Sequence, residues 1–218
     1  AVDPAESAWV WRADALTLRA GGSDVTGSTG RSGVEDRQYE VTSLSLDPSD
    51  EQRAAGSTDI PDDDPSRELP DDVPDSIVQT ADQVAGSAEG PAAIGRALQD
   101  YFRSGEFEYS ESAPVSGDYD GDGFDMIDRF LAERSGYCVH YASAMTAMAR
   151  TLGVPARIAV GFLPGSAGQE TEDGWRVVTS HAAHAWPELY IDGIGWTAFE
   201  PTPSSGDSPV APEPTADP

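Results

Sequence analysis

At 218 residues the chain has the length for one ordinary domain with extensions and for a buried core. Its 39 acidic side chains against 13 basic ones give a net charge of −26, which repels phosphate backbones and anionic lipid and so argues against nucleic-acid binding and against electrostatic docking on membranes. Every base is an arginine: without lysine the chain offers no side-chain amine for its own modification, and its single cysteine rules out an internal disulfide framework and a zinc knuckle.

No apolar run approaches the roughly 20 residues that span a bilayer. The start, Ala1-Val2-Asp3-Pro4, has neither an initiator Met nor a signal-peptide core, so the chain reads as a soluble piece of something longer. Trp9, Val10, Trp11, Leu16 and Leu18 suggest a strand or two, followed by a Gly/Ser/Thr loop from Gly21 to Gly33. Tyr39 to Leu46 alternates apolar and polar with the period of a half-buried strand. From Asp47 to Asp75 eleven acidic residues and several prolines predict a solvated, extended segment linking a β-rich N-terminal portion, 1–75, to a catalytic core, 76–203.

Helical signals then take over. Ser76 to Val84 reads as a short helix, and Pro91 opens a second one whose Ile94, Leu98 and Phe102 repeat at i, i+4 and i+8. Phe107-Glu108-Tyr109 reads as a short strand, and Phe124, Ile127, Phe130 and Leu131 mark a helix ending near Arg134. A further helix runs from Cys138 to Leu152, with Cys138, Ala142, Met145, Ala149 and Leu152 on one face, and Gly153 and Pro155 stop it. Strands are expected at Arg157–Phe162, Trp175–Thr179, His184–Tyr190 and Ile194–Glu200, and a disordered Pro-rich tail at 204–218. Helices first and an antiparallel sheet afterwards make an α+β domain.

A thiolate nucleophile needs an environment that favours the anion, a base within hydrogen-bond reach and a partner that fixes the base's tautomer. Cys138 sits at a predicted first helical turn, where unpaired N–H groups and the helix dipole favour negative charge and can hold a developing oxyanion. His184 opens a strand beside Trp186, which is suited to shielding an ion pair, and Glu200 ends the next strand. Each alone is weak: a lone cysteine is usually a buried hydrophobe, and a lone strand histidine is usually structural.

The blocks Gly136-Tyr137-Cys138-Val139-His140-Tyr141-Ala142, running into Leu152-Gly153-Val154-Pro155-Ala156-Arg157, then His184-Ala185-Trp186-Pro187-Glu188-Leu189-Tyr190, then Gly195-Trp196 through Glu200-Pro201-Thr202, resemble the transglutaminase-like superfamily in order and spacing. The resemblance covers about residues 90 to 203. In detail it is similar to bacterial, notably actinobacterial, membrane proteins that carry such a domain outside the cytoplasm. It implies a papain-like fold, a Cys138–His184–Glu200 triad, an extracytoplasmic domain tethered to membrane segments beyond this chain, and a protein or peptide acyl donor with an amine acceptor. No cofactor and no metal are expected. The wider family usually has Asp where this chain has Glu200.

Three features compete for roles. His140 lies about 200° around the helix from Cys138 and should not reach the thiol's working side. His181, before its strand, is a candidate for lining the cleft with Trp186. Asp118 to Gly123 imitates half an EF-hand loop, but the twelfth position is Arg129 where a bidentate acid is needed. The hairpin sets a geometric expectation: with Ile191-Asp192-Gly193 as its loop, Glu200 would stand directly opposite His184, whereas a two-residue loop would turn its carboxylate to the wrong side. Acyl transfer from a glutamine amide leads the functional readings, with a cysteine protease or amidase and a non-catalytic envelope module as alternatives.

Overall fold

The computed structural model describes the backbone at 9–12 and 17–20, and residues 49, 60–62, 64–111, 123–163 and 182–203. Two short strands, β1 (Trp9–Arg12) and β2 (Thr17–Ala20), come first. Helices α1 (Asp75–Ala85) and α2 (Pro91–Phe102) follow, then the two-residue strand β3 (Glu108–Tyr109) and helix α3 (Phe124–Glu133). Strand β4 (Ser135–Gly136) leads into helix α4 (Cys138–Thr151), and β5 (Ala156–Phe162), β6 (Ala183–Ile191) and β7 (Gly195–Ala198) complete the chain order. The expected strands at Tyr39–Leu46 and Trp175–Thr179, the Asp118 loop and the 204–218 tail lie outside the described residues.

The strands form one antiparallel sheet, ordered β1-β2-β5-β6-β7, and a separate parallel ladder of β3 on β4. The α+β expectation holds. The N-terminal strands join the same sheet as the C-terminal ones, with Leu18 paired to Val160.

Helix α4 is the axis of the fold. The single stripe expected from its sequence understates it: His140, Tyr141, Ala142 and every residue from Ala144 to Ala149 are buried. A helix wrapped by α1, α2 and α3 and by the sheet keeps only a narrow partly exposed line, Val139, Ser143 and Arg150, so small residues and methionines fill most of the rest. Phe102, Phe107, Phe130 and Tyr141 interlock beside it, with ring centroids as close as 4.8 Å for Phe130 and Tyr141. Such aromatic pairs add about 0.5–1.5 kcal/mol each beyond burial.

Part of the acidic stretch is not the free segment its composition suggests. Asp64 accepts hydrogen bonds from the Ser66 amide at 2.8 Å and hydroxyl at 2.6 Å, closing a turn. The Ser66 carbonyl receives the Ala156 amide at 3.0 Å, Arg67 donates to the Gly153 carbonyl at 3.0 Å, and Arg150 donates to the Glu68 carbonyl at 2.7 Å. The segment therefore clamps the α4–β5 turn, using backbone groups that composition does not reveal.

Candidate active site

Cys138 is the first residue of α4, so its amide has no carbonyl one turn earlier to donate to. Tyr137, in extended conformation, turns the chain into the helix. The Tyr137 amide donates to His140 Nδ1 at 3.2 Å, and the His140 ring stacks on Phe130 with centroids 5.7 Å apart. His140 is thus a buried helix-start residue.

His184, on β6, is buried with 7% of its surface exposed, and its Nε2 lies 2.6 Å from Glu200 Oε2. A side-chain hydrogen bond also joins His184 to Cys138. With Nε2 taken by the carboxylate, Nδ1 is the nitrogen left for the thiol. Burial alone would lower the imidazole's pKa; the hydrogen bonds to Cys138 and Glu200, and then the charges of both, outweigh it and push the pKa up to about 9. The Trp186 ring stacks beside His184, centroids 6.1 Å apart. Cys138, His184, Glu200 and Trp186 therefore come together as one cluster; His181 lies outside the described residues.

The hairpin that delivers Glu200 differs from the expected one by two residues of register. Ile191 pairs with Gly195 and Glu188 with Ala198, so the loop is Asp192-Gly193-Ile194 rather than Ile191-Asp192-Gly193. Ile191 is fully buried and the core keeps it in the strand; half-buried Ile194 goes to the turn instead. Gly193 adopts φ 76°, a left-handed conformation that glycine fills without strain. A shift of two preserves the side of the sheet, so Glu200 still faces His184's side, but diagonally and past the end of β7. Beyond the ladder, the Phe199 amide continues the pairing by donating to the Pro187 carbonyl at 3.0 Å.

The family model described as the transglutaminase-like superfamily matches residues 78–201. The chain belongs to this superfamily. It is 34% identical over 123 residues to a protein-glutamine gamma-glutamyltransferase of Pseudomonas aeruginosa, covering 56% of this chain and 17% of that protein. It is 32% identical over 140 residues to the uncharacterized protein YebA of Bacillus subtilis, covering 62% of this chain and 18% of that one. The chain thus spans less than a fifth of the length of either relative. Among solved structures it is similar to the periplasmic domain of TgpA from Pseudomonas aeruginosa, with a TM-score of 0.54 and 31% identity over 62% of this chain and 45% of that one.

Sequence reasoning missed how this transglutaminase-like domain holds its carboxylate. The Glu200 amide donates to Gln99 Oε1 at 2.9 Å, and Glu200 Oε1 accepts from the Thr202 amide at 3.0 Å. Gln99 is one helical turn after Gly95, where an added Cβ would stand 2.4 Å from the Phe199 ring. The missing side chain lets α2 approach the end of β7 closely enough for Gln99 to reach. A glycine inside an otherwise amphipathic helix was the available signal.

Glu188, the nearest rival acid, is engaged elsewhere. It stands opposite Arg157 on β5, accepts from its Nε at 2.6 Å and is fully buried, while the guanidinium lies 4.1 Å from the centroid of the Trp196 ring. No group of three or more His, Cys, Asp or Glu suited to a metal ion occurs among the described residues.

Proposed function

We propose that this domain is a cysteine-dependent acyltransferase of the transglutaminase type. The observation that carries the reading is the continuous chain from Cys138 through His184 to Glu200, closed by the 2.6 Å contact at Nε2. In the proposed cycle the Cys138 thiolate attacks the carbonyl of a glutamine side-chain amide, with the first amides of α4 receiving the oxyanion. The His184 imidazolium protonates the departing nitrogen, ammonia leaves, and a thioester remains. An amine or water then attacks the thioester, gives its proton to His184 and releases the thiolate, restoring the ion pair. Glu200 orients the imidazole and stabilises its charge, and Trp186 shields the pair from water.

The catalytic alternatives share the acylation step, and the non-catalytic one lacks it. Water as acceptor makes the domain an amidase, a peptide bond as donor makes it a protease, and a domain without turnover is a binding module. The likeness to a periplasmic domain supports an extracytoplasmic location, and the likeness to a protein-glutamine gamma-glutamyltransferase supports protein substrates for the full-length protein, in which we propose that the domain is tethered to membrane segments. No helix among the described residues is long and apolar enough to cross a membrane. Incubating the domain with a glutamine peptide and a labelled amine, and following ammonia release, amine incorporation and peptide cleavage together, separates these readings. Ammonia with incorporated label is the expected result; no product from any donor would overturn it.

A further inference from the structure

No step of the proposed cycle uses His140, yet this residue holds the backbone on which Cys138 is mounted. Two peptide planes lead into the nucleophile, and a planar peptide bonded at both ends is not free to rotate. In the first, Gly136–Tyr137, the carbonyl accepts the Ser110 amide at 2.8 Å and the Tyr137 amide donates to His140 Nδ1 at 3.2 Å. The β3–β4 ladder, with Tyr109 opposite Gly136, brings up the first partner, and α4 supplies the second. In the second plane, Tyr137–Cys138, the carbonyl accepts the His140 amide at 2.8 Å. His140 thus grips Tyr137 twice, once by its ring and once by its backbone. With both planes held, Tyr137 keeps φ −116° and ψ 177°, and the Cys138 N–H, antiparallel to the Tyr137 carbonyl, points out of the helix start.

The ring is seated for this bond. It is 1% exposed, stacks on Phe130 and meets the Tyr137 ring edge-on with centroids 4.4 Å apart. Gly136 provides the clearance: a Cβ there would stand 2.9 Å from the Phe130 ring and 3.0 Å from His140 Cβ and Cγ. A ring nitrogen that accepts an N–H bond carries no proton, so the imidazole is neutral with its proton on Nε2. An apolar side chain of similar size would fill the same space but take this acceptor away from the Tyr137 amide.

We propose that His140 is a positioning residue for acylation: its Nδ1 fixes the peptide plane before the nucleophile and so aims the Cys138 N–H at the oxygen that becomes negative. In acylation the Cys138 sulfur bonds to the acyl carbon, the carbonyl π pair moves onto oxygen, and the Cys138 N–H receives that oxyanion. When the pair returns, the bond to the leaving nitrogen breaks and the nitrogen departs with a proton from His184. His140 acts only through the Tyr137 and Cys138 peptides. The inference rests on the acyl-transfer reading, since attack on a carbonyl is what creates an oxyanion to be aimed at.

The test sets two reactions of the same thiolate against each other on the full chain. Iodoacetamide alkylates the sulfur by expelling iodide and forms no oxyanion, whereas p-nitrophenyl acetate passes through one before it releases nitrophenolate. In His140→Phe, which keeps a ring but no acceptor, acylation by the ester should fall about 10–100-fold while alkylation stays within about twofold of wild type. His140→Asn, whose Oδ1 takes the place of Nδ1 but which leaves a gap beside Phe130, should be the less stable variant and yet recover acylation to within about fivefold of wild type. A residue that merely packs the helix start gives the reverse order, Phe faster than Asn, or a loss of alkylation equal to that of acylation; either result overturns the inference. Where His140→Phe does not fold, Ser110→Pro decides, because it removes the amide at the other end of the same plane: acylation should fall while alkylation holds, and equal effects on both overturn the inference. Acylation of His140→Phe at the wild-type rate overturns the inference alone, whereas a wild-type protein that is alkylated but acylated by neither the ester nor a glutamine peptide overturns the acyl-transfer reading with it.

Discussion

Strand β6 carries two acid–base pairs, four residues apart, built from similar parts. At one position His184 meets Glu200; at the other Glu188 meets Arg157. Both contacts are 2.6 Å long and both cross to a neighbouring segment of the sheet, yet the two environments give them different work. Arg157 is permanently charged, opposes a carboxylate with no exposed surface and is capped by Trp196, so the pair has one state and locks β5 to β6. His184 can gain and lose a proton, touches a half-exposed thiol and sits at the open end of the strand, so its pair has two states. Chemistry follows from the titratable partner and its neighbour; the carboxylate alone would not distinguish the two sites.

Removing the reacting groups should separate the pairs most sharply. Cys138→Ala and His184→Ala are each expected to lower turnover by about 10³-fold or more, measured by ammonia release, while leaving the melting temperature within a few degrees when unfolding is followed above about pH 9, where the ion pair no longer contributes. A large loss of stability in either variant would make the first pair structural as well. The converse change, Glu188→Ala, should destabilise the domain by about 3–5 kcal/mol, because it leaves the Arg157 charge buried without its acid. The surviving folded fraction should turn over at the wild-type rate. Denaturant titration with activity per folded molecule checks both parts, and a specific loss of kcat would erase the distinction.

Protonation provides the next test. An ordinary imidazole loses its proton near 6.5, whereas His184 holds it up to about 9. The pair's contribution to stability is therefore complete below about pH 6.5 and is lost as the pH rises through about 9. The imidazolium needed for acylation disappears over the same upper limb, so activity should fall around pH 9. Glu200→Gln should move that limb downward and cost about 10²–10⁴-fold in kcat, while Arg157, which does not titrate in this range, gives the second pair no such limb. An alkaline limb unmoved in Glu200→Gln would show that the carboxylate does not act through His184.

Much of this was legible in the sequence because it depends on local signals. The helices at Asp75–Ala85, Pro91–Phe102 and Phe124–Glu133 follow apolar spacing and helix-start residues, and the three sequence blocks bring Cys138, His184 and Glu200 to notice. The hairpin was read to the correct side of the sheet but two residues out of register, because isoleucine stands at both 191 and 194 and only the core decides which is buried. The clamp at Ser66 and the Tyr109 position were not legible, since both rest on backbone hydrogen bonds between segments far apart in the chain. The Arg157–Glu188 pair was hidden for the same reason: neither residue announces a partner 31 positions away.

The smallest expected effect tests whether the Glu200 carboxylate is held by its surroundings as Glu188 is held by its ladder. Glu188 lies within the β6–β7 pairing, but Glu200 lies two residues past the last paired residue, Ala198, and depends on Gln99 for its amide and Thr202 for its carboxylate. Gln99→Ala removes one partly buried acceptor, worth about 1 kcal/mol in stability, and lets the end of β7 drift. Because a catalytic hydrogen bond tolerates little displacement, kcat should fall severalfold and the alkaline limb should move part of the way that it moves in Glu200→Gln. Gly95→Ala should act in the same direction through the Phe199 ring, pushing α2 away from Glu200 by a route that leaves Gln99 intact. A loss of stability in both variants with an unshifted pH limb would mean that Gln99 and Gly95 pack the domain without positioning its acid. A shifted limb in both would make α2 the support of the His184 pair, as β5 is the support of Glu188.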